Sequence, residues 1–162
     1  MECAMSGRSF TRGFTLIELM ITIALLAIVV TIAVPNFTAF IQKTQLQGQT
    51  DDLLTFLQYA RSEAVTRRTT AIVEVNDAAP WEVQVGGQSV RELSHDGPVK
   101  LDADVATITY NANGTATPAL IIVCRDDNHE TAFVVQVRAS GAPIRHARGK
   151  DAAGDALTKC TL

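Results

Sequence analysis

Glu18 is the one ionisable side chain between Phe14 and Val34, in a run of 21 residues otherwise made of Leu, Ile, Val, Ala, Met, Phe and Thr. A carboxylate placed in hydrocarbon costs at least about 2.5 kcal/mol. Its chemistry is therefore that of a charge that needs a partner, either on another chain or on a free amine. The other residue types that could do chemistry are poorly arranged for it. His95, His129 and His146 fall in expected loops with no obvious partner and read as surface histidines. The acid pairs Asp51-Asp52, Asp102/Asp104 and Asp126-Asp127 lack EF-hand spacing. Cys124, His129 and Cys160 make a poor metal set, with no C-x-x-C and no second close histidine. There is no G-x-S-x-G, Walker A, G-x-G-x-x-G or H-E-x-x-H. The chain reads as a non-enzyme, with no catalytic residue, no cofactor and no metal assigned.

The elements that must position Glu18 follow from the distribution of apolar residues. The chain has 162 residues, 47% hydrophobic and 19% charged, with a net charge of −3 and a mean hydropathy of +0.14. That length suits one globular unit plus at most one appendage. The charge excludes a strongly basic nucleic-acid binder at the level of the whole chain, though not a local basic patch. The hydropathy is concentrated in Phe14–Val34, which as a helix spans roughly the 30 Å of a bilayer core. Arg8 and Arg12 against Glu2 put the positive flank, and so the N-terminus, on the cytoplasmic side. A secretory signal would have a shorter apolar core and an A-x-A site after it, which is absent. A plain anchor fits the length but leaves Glu18 unexplained. Pro35 either ends this helix or kinks it by removing one backbone hydrogen bond.

Beyond the proline the helical period becomes one-sided. Leu46, Thr50, Leu53, Leu57, Ala60 and Ala64 draw an apolar stripe, which predicts an amphipathic helix over 41–68. From residue 69 the pattern turns to short runs rich in Val, Ile and Thr. Strands are expected at Ala71–Val75, Trp81–Val85, Val90–Leu93, Ala106–Tyr110, Leu120–Cys124 and Ala132–Val137. Turns are expected at Asn76-Asp77, Gly86-Gly87, Asp96-Gly97-Pro98 and Asn111-Ala112-Asn113-Gly114. The fold class is α+β, a long N-terminal helix whose amphipathic half packs on one antiparallel sheet.

Gly13-Phe14-Thr15-Leu16-Ile17-Glu18, preceded by a short basic leader and followed by an unbroken apolar helix, resembles the class III signal of type IV pilins and type II secretion pseudopilins. The resemblance implies the pilin fold and three segments: a leader 1–13, a membrane and filament-core helix 14–40, and a head 41–162. A prepilin peptidase would cut between Gly13 and Phe14 and methylate the new amine of Phe14. Glu18 of an incoming subunit could then neutralise the amine of its neighbour, a device for axial register more than for net stability. Pilins are similar in carrying a proline at the place of Pro35, where the helix can stretch. Loss of the leader removes Arg8, Arg12 and Glu2 and leaves a formal charge of −4. Cys3 would go with the leader. Cys124 and Cys160 then remain as a pair outside the cytoplasm, most simply a disulfide, closing a loop of about 36 residues and contributing roughly 3–4 kcal/mol in the chain-entropy model.

Leu57-Gln58-Tyr59-Ala60-Arg61-Ser62-Glu63-Ala64, together with Ile108-Thr109-Tyr110-Asn111-Ala112-Asn113-Gly114-Thr115 and Ile122-Val123-Cys124, is similar to the FimT/FimU minor pilins and the GspH pseudopilins. A minor pilin of this type would help to initiate or cap a type IV pilus and support twitching motility. It would sit first in the bacterial inner membrane, contacting lipid, with its head in the periplasm. Later it would join other major and minor pilins in the filament through the inner-membrane assembly machinery. Two alternatives stand: a GspH-like pseudopilin of type II secretion, and a DNA-binding minor pilin for natural transformation. The last would rest on Arg138, Arg145, Arg148 and Lys150, fixed charges in a segment with no acid. That segment departs from the G-R-x-R motif of DNA-binding relatives, with Ala142 in place of the first Arg and no aromatic for stacking.

Overall fold

The computed structural model describes residues 13–75, 80–94 and 97–162. Residues 1–12 of the expected leader 1–13, the expected turn at Asn76-Asp77, His95 and Asp96 lie outside the described residues. The chain divides into two compact units between Ile41 and Gln42.

One helix, α1 (Leu16–Arg67), contributes its first part to one unit and its second to the other. Thr15 caps it: the Glu18 N–H donates to Thr15 Oγ1 at 3.3 Å, and Leu19 N–H makes the first helical bond to the Thr15 carbonyl at 3.2 Å. This is the T-x-x-E spacing of a capping box. At the other end Arg68 takes a left-handed conformation (φ 53°), with Arg68 N–H on the Val65 carbonyl at 3.3 Å and Thr69 N–H on that of Ala64 at 3.1 Å. Those two bonds are a Schellman stop. Pro35 lies inside α1, so of the two readings the one that ends the helix there is incorrect. A single proline removes one donor, and the flanking turns hold the rest of the ladder. Asn36 adds a bond from its side chain, Nδ2 to the Ile32 carbonyl at 3.0 Å.

In the unit from Gln42 onward, α1 buries Leu46, Thr50, Leu53, Phe56, Leu57, Ala60 and Ala64. Thr50 satisfies its hydroxyl on the Leu46 carbonyl at 2.7 Å. Eight strands follow: β1 (Ala71–Glu74), β2 (Trp81–Val85), β3 (Gln88–Leu93), β4 (Val99–Ala103), β5 (Thr107–Tyr110), β6 (Ala119–Arg125), β7 (Phe133–Val137) and β8 (Pro143–Arg145). They form two four-stranded antiparallel sheets, β3-β2-β1-β5 and β4-β6-β7-β8, where the sequence pattern suggested one. β4 is new: Val99-Lys100-Leu101-Asp102-Ala103 alternates as a half-buried strand should, but follows a Gly-Pro turn. β8 is also new, a short edge strand opened by Pro143, a position that a sheet edge tolerates.

A single core joins the helix stripe to the inner faces of both sheets. Trp81, Val83, Ile108 and Tyr110 come from the first sheet, and Leu101, Ile121, Val123, Phe133 and Val135 from the second. Burying side chains of this size contributes about 1.5–3 kcal/mol each. β6 is buried on both faces, so Ile122 and Cys124 pack outward with Ala132 and Val134 in a second small cluster. On the outer face of the first sheet, Glu74 stands opposite Glu82 and Glu82 opposite Glu92. Three carboxylates therefore line up across neighbouring strands.

Candidate assembly surface

The side chains expected to act in assembly lie at the start of α1. Gly13 and Phe14 precede the first turn of α1. Every residue from Gly13 to Gln45 is exposed, with Phe14 at 82% and Phe37 and Phe40 both above 60%. Thr22, Thr31 and Thr38 donate their hydroxyls to carbonyls three residues back at 2.7–2.9 Å, so these polar groups need no neighbour in an apolar setting. Glu18 differs: its carboxylate forms no ion pair with another described residue. The helix is long and apolar enough to cross a membrane. A surface of this kind, with one acid near its beginning, can associate with like helices and pair one charge.

In the head, Arg61 ties the helix to both sheets. Its Nε donates to the Gly114 carbonyl at 3.0 Å and its Nη2 to that of Ser140 at 3.1 Å. Glu63 pairs with Arg67, Nε to Oε2 at 2.6 Å, one turn along. Arg91 on β3 stacks over the Tyr59 ring at 4.9 Å. Through Arg61 the L-x-x-A-R-S-E-A stretch thus holds loops in place, a packing role in preference to a solvated pair of Arg61 and Glu63 on the helix. Tyr110, fully buried on β5, has its phenol pushed far above the usual range by burial, against the opposing effect of the Arg61 charge. Its hydroxyl has no hydrogen-bond partner among the described residues.

The basic segment is only partly free. Arg145, at the end of β8, pairs with Asp51 on α1 at 2.7 Å and lies over the Phe133 ring at 5.3 Å. The acid missing from the linear segment is thus supplied from α1. Arg148 Nε donates to the Thr131 carbonyl at 3.1 Å. Arg138 sits on the exposed turn after β7, and Lys150 is exposed beside the Ala156 bridge. The candidate acids also serve structure: Asp104 Oδ1 accepts the Leu120 N–H at 2.8 Å, Asp102 Oδ2 the Leu162 N–H at 2.8 Å, and Asp127 faces Lys100 at 3.5 Å. Cys124 and Cys160 are joined, with α-carbons 5.8 Å apart. Among the described residues no three or more His, Cys, Asp or Glu side chains gather as metal ligands.

A membrane-length helix with an acid near its start, continuing into an amphipathic half packed on antiparallel sheets, defines a subunit of the type IV pilin and pseudopilin class. A model of the prokaryotic N-terminal methylation motif matches residues 8–34, and the model described as type II transport protein GspH matches residues 49–141. The chain belongs to the GspH family. Among solved structures it is similar to the type IV minor pilin FimU of Pseudomonas aeruginosa strain PAO1. In one crystal form FimU shares 23% identity at a TM-score of 0.58, over 75% of this chain and 98% of the crystallised FimU chain. In a second crystal form the TM-score is 0.55, over 70% and 98%. The minor pseudopilin EpsH of the Vibrio cholerae type 2 secretion system shares 12% identity at a TM-score of 0.45, over 60% and 92%. No curated protein matches the chain. The FimU likeness establishes the fold, a long N-terminal helix on antiparallel sheets.

Proposed function

We propose that this protein is a minor type IV pilin of the FimU kind, a structural subunit that helps to initiate or cap the pilus. The observation that carries the proposal is the apolar stretch Phe14–Ile41, which is exposed along its whole length and has Glu18 as its only charge. Prepilin peptidase cleaves after Gly13 and methylates Phe14. Before assembly the helix lies in the inner membrane with the N-terminus cytoplasmic and the head periplasmic. In the filament, Glu18 meets the Phe14 amine of a neighbouring pilin, and Pro35 is the place where the helix lengthens. Mass spectrometry of the protein from its native membrane tests the first step: a mature N-terminus at any residue but Phe14 overturns it. Glu18→Ala should abolish incorporation into filaments while leaving membrane insertion intact.

The second reading, a pseudopilin of type II secretion, draws support from the description of the GspH model. A deletion strain separates the two. Loss of twitching with normal protein secretion supports the pilin, and the reverse supports the pseudopilin. DNA uptake would rest on Arg138, Arg148 and Lys150, with Arg145 already paired to Asp51. A gel shift at low salt that shows no binding removes it.

A further inference from the structure

The outer face of the second sheet is closed by a segment with little of its own to hold it. Ile122, Cys124, Ala132 and Val134 are buried there, with Leu120 beside them, and segment 151–162 contributes only Leu157 and Cys160 to the packing. Its other ties are few. Asp151 Oδ1 accepts the N–H groups of Ala153 and Asp155 at 2.9 and 2.8 Å, bending the segment back on itself. Leu157 N–H reaches the Gly149 carbonyl at 3.0 Å, and Leu162 N–H reaches Asp102. One half-buried leucine and a few exposed hydrogen bonds do not offset the entropy of ordering such a segment. The disulfide does, because it removes most of that freedom from the open state.

We infer that residues 151–162 are a redox-locked strap: with Cys124–Cys160 intact it covers the outer face of β6 and β7, and reduction releases it and uncovers Leu120, Ile122, Ala132 and Val134. A cavity of about 230 Å³, lined by Lys100, Asp102, Cys124, Cys160 and Thr161 among others, lies beside the two sulfurs. Cys124 is 2% exposed, whereas Cys160 is half-buried. An external dithiol therefore attacks at Cys160 Sγ. The S–S bond breaks, its electron pair leaves on Cys124 Sγ, and that thiolate takes up a proton. The second thiol of the reductant then displaces Cys160 from the mixed disulfide. Two electrons have passed to the protein, and the reductant departs as its own disulfide. Lys100, directly opposite Cys124 in the β4–β6 register, places a positive charge near the leaving thiolate while also facing Asp127.

The test uses the full chain in detergent micelles, reduced with dithiothreitol and alkylated with iodoacetamide, with each cysteine read by peptide mass spectrometry. A released strap alkylates Cys124 at a rate within about tenfold of Cys160, while amides of Leu53–Ala64 keep their protection from hydrogen exchange. Cys124 remaining more than about a hundredfold slower than Cys160 overturns the proposal, since the segment then stays in place without its bond. Loss of protection in Leu53–Ala64 on reduction also overturns it, because the disulfide would then hold the whole head. A Cys160→Ser chain is the independent arm. Its Cys124 should react without reductant at the rate of the reduced protein, and a protected Cys124 there counts against the strap.

Discussion

Gly141 lies against Gly114 so closely that a β-carbon at 141 would stand 2.0 Å from the Gly114 carbonyl oxygen, the same atom that accepts the Arg61 Nε–H. Two turns from different sheets and one helical arginine thus meet at one point. Gly141 also has φ 78°, a conformation that an L side chain adopts only at a cost. Gly141→Ala should destabilise the fold by more than about 2 kcal/mol, since backbone must move on both sides. Arg61→Lys, which keeps the charge but loses the fork, should cost about 1–2 kcal/mol. Denaturant unfolding followed by Trp81 fluorescence measures both, and an Arg61→Lys chain as stable as the parent would show that the tie to Ser140 contributes nothing.

The glutamate row Glu74, Glu82, Glu92 predicts a gain of stability. Glu82 faces a like charge on each side, and like charges directly opposite are unfavourable. Glu82→Thr should stabilise by about 0.5–1 kcal/mol, replacing a repelled acid with a good strand former. Added salt should help the parent more than the variant. Equal salt responses in the two chains would contradict the argument.

Arg68 holds the left-handed position that ends α1. Glycine occupies such a position without the steric penalty. Arg68→Gly should raise stability by about 0.5–1 kcal/mol, and Arg68→Ala should leave it near the parent value. Thermal unfolding midpoints of the three chains decide it.

Burial raises the Tyr110 pKa, partly offset by Arg61, so the folded chain holds the phenol proton more tightly than the unfolded one. That contribution is complete below about pH 10, the unfolded value, and is lost as the pH rises above it. Tyr110→Phe should therefore flatten the fall of stability above about pH 10. Near neutrality it should be as stable as the parent or more so, because it removes a buried hydroxyl that makes no hydrogen bond among the described residues. An unchanged alkaline slope would sink this account.

The helix was the most legible part of the fold. Its apolar run and the stripe Leu46 to Ala64 depend on local period alone, and Phe56 was the one fully buried side chain on it that the stripe omitted. Six of eight strands were marked by β-branched runs. The division into two sheets was not, because which strand pairs with which is decided by packing across the core. Cys124 and Cys160 could be matched as the only pair left beyond the expected leader. The tie of Arg145 to Asp51 was invisible, since the two are 94 residues apart. The partners of Arg61 were likewise hidden, because its acceptors are backbone carbonyls and carry no residue type.

The strand order also determines how the head comes apart. After three consecutive strands of the first sheet, the chain places β4 in the second, returns for β5, and crosses back for β6. Neither sheet can be peeled away while the other stands, because each is threaded by the connections of its neighbour. Melting should be all-or-none, and the lone Trp81, though rooted in the first sheet, should report the second with the same midpoint.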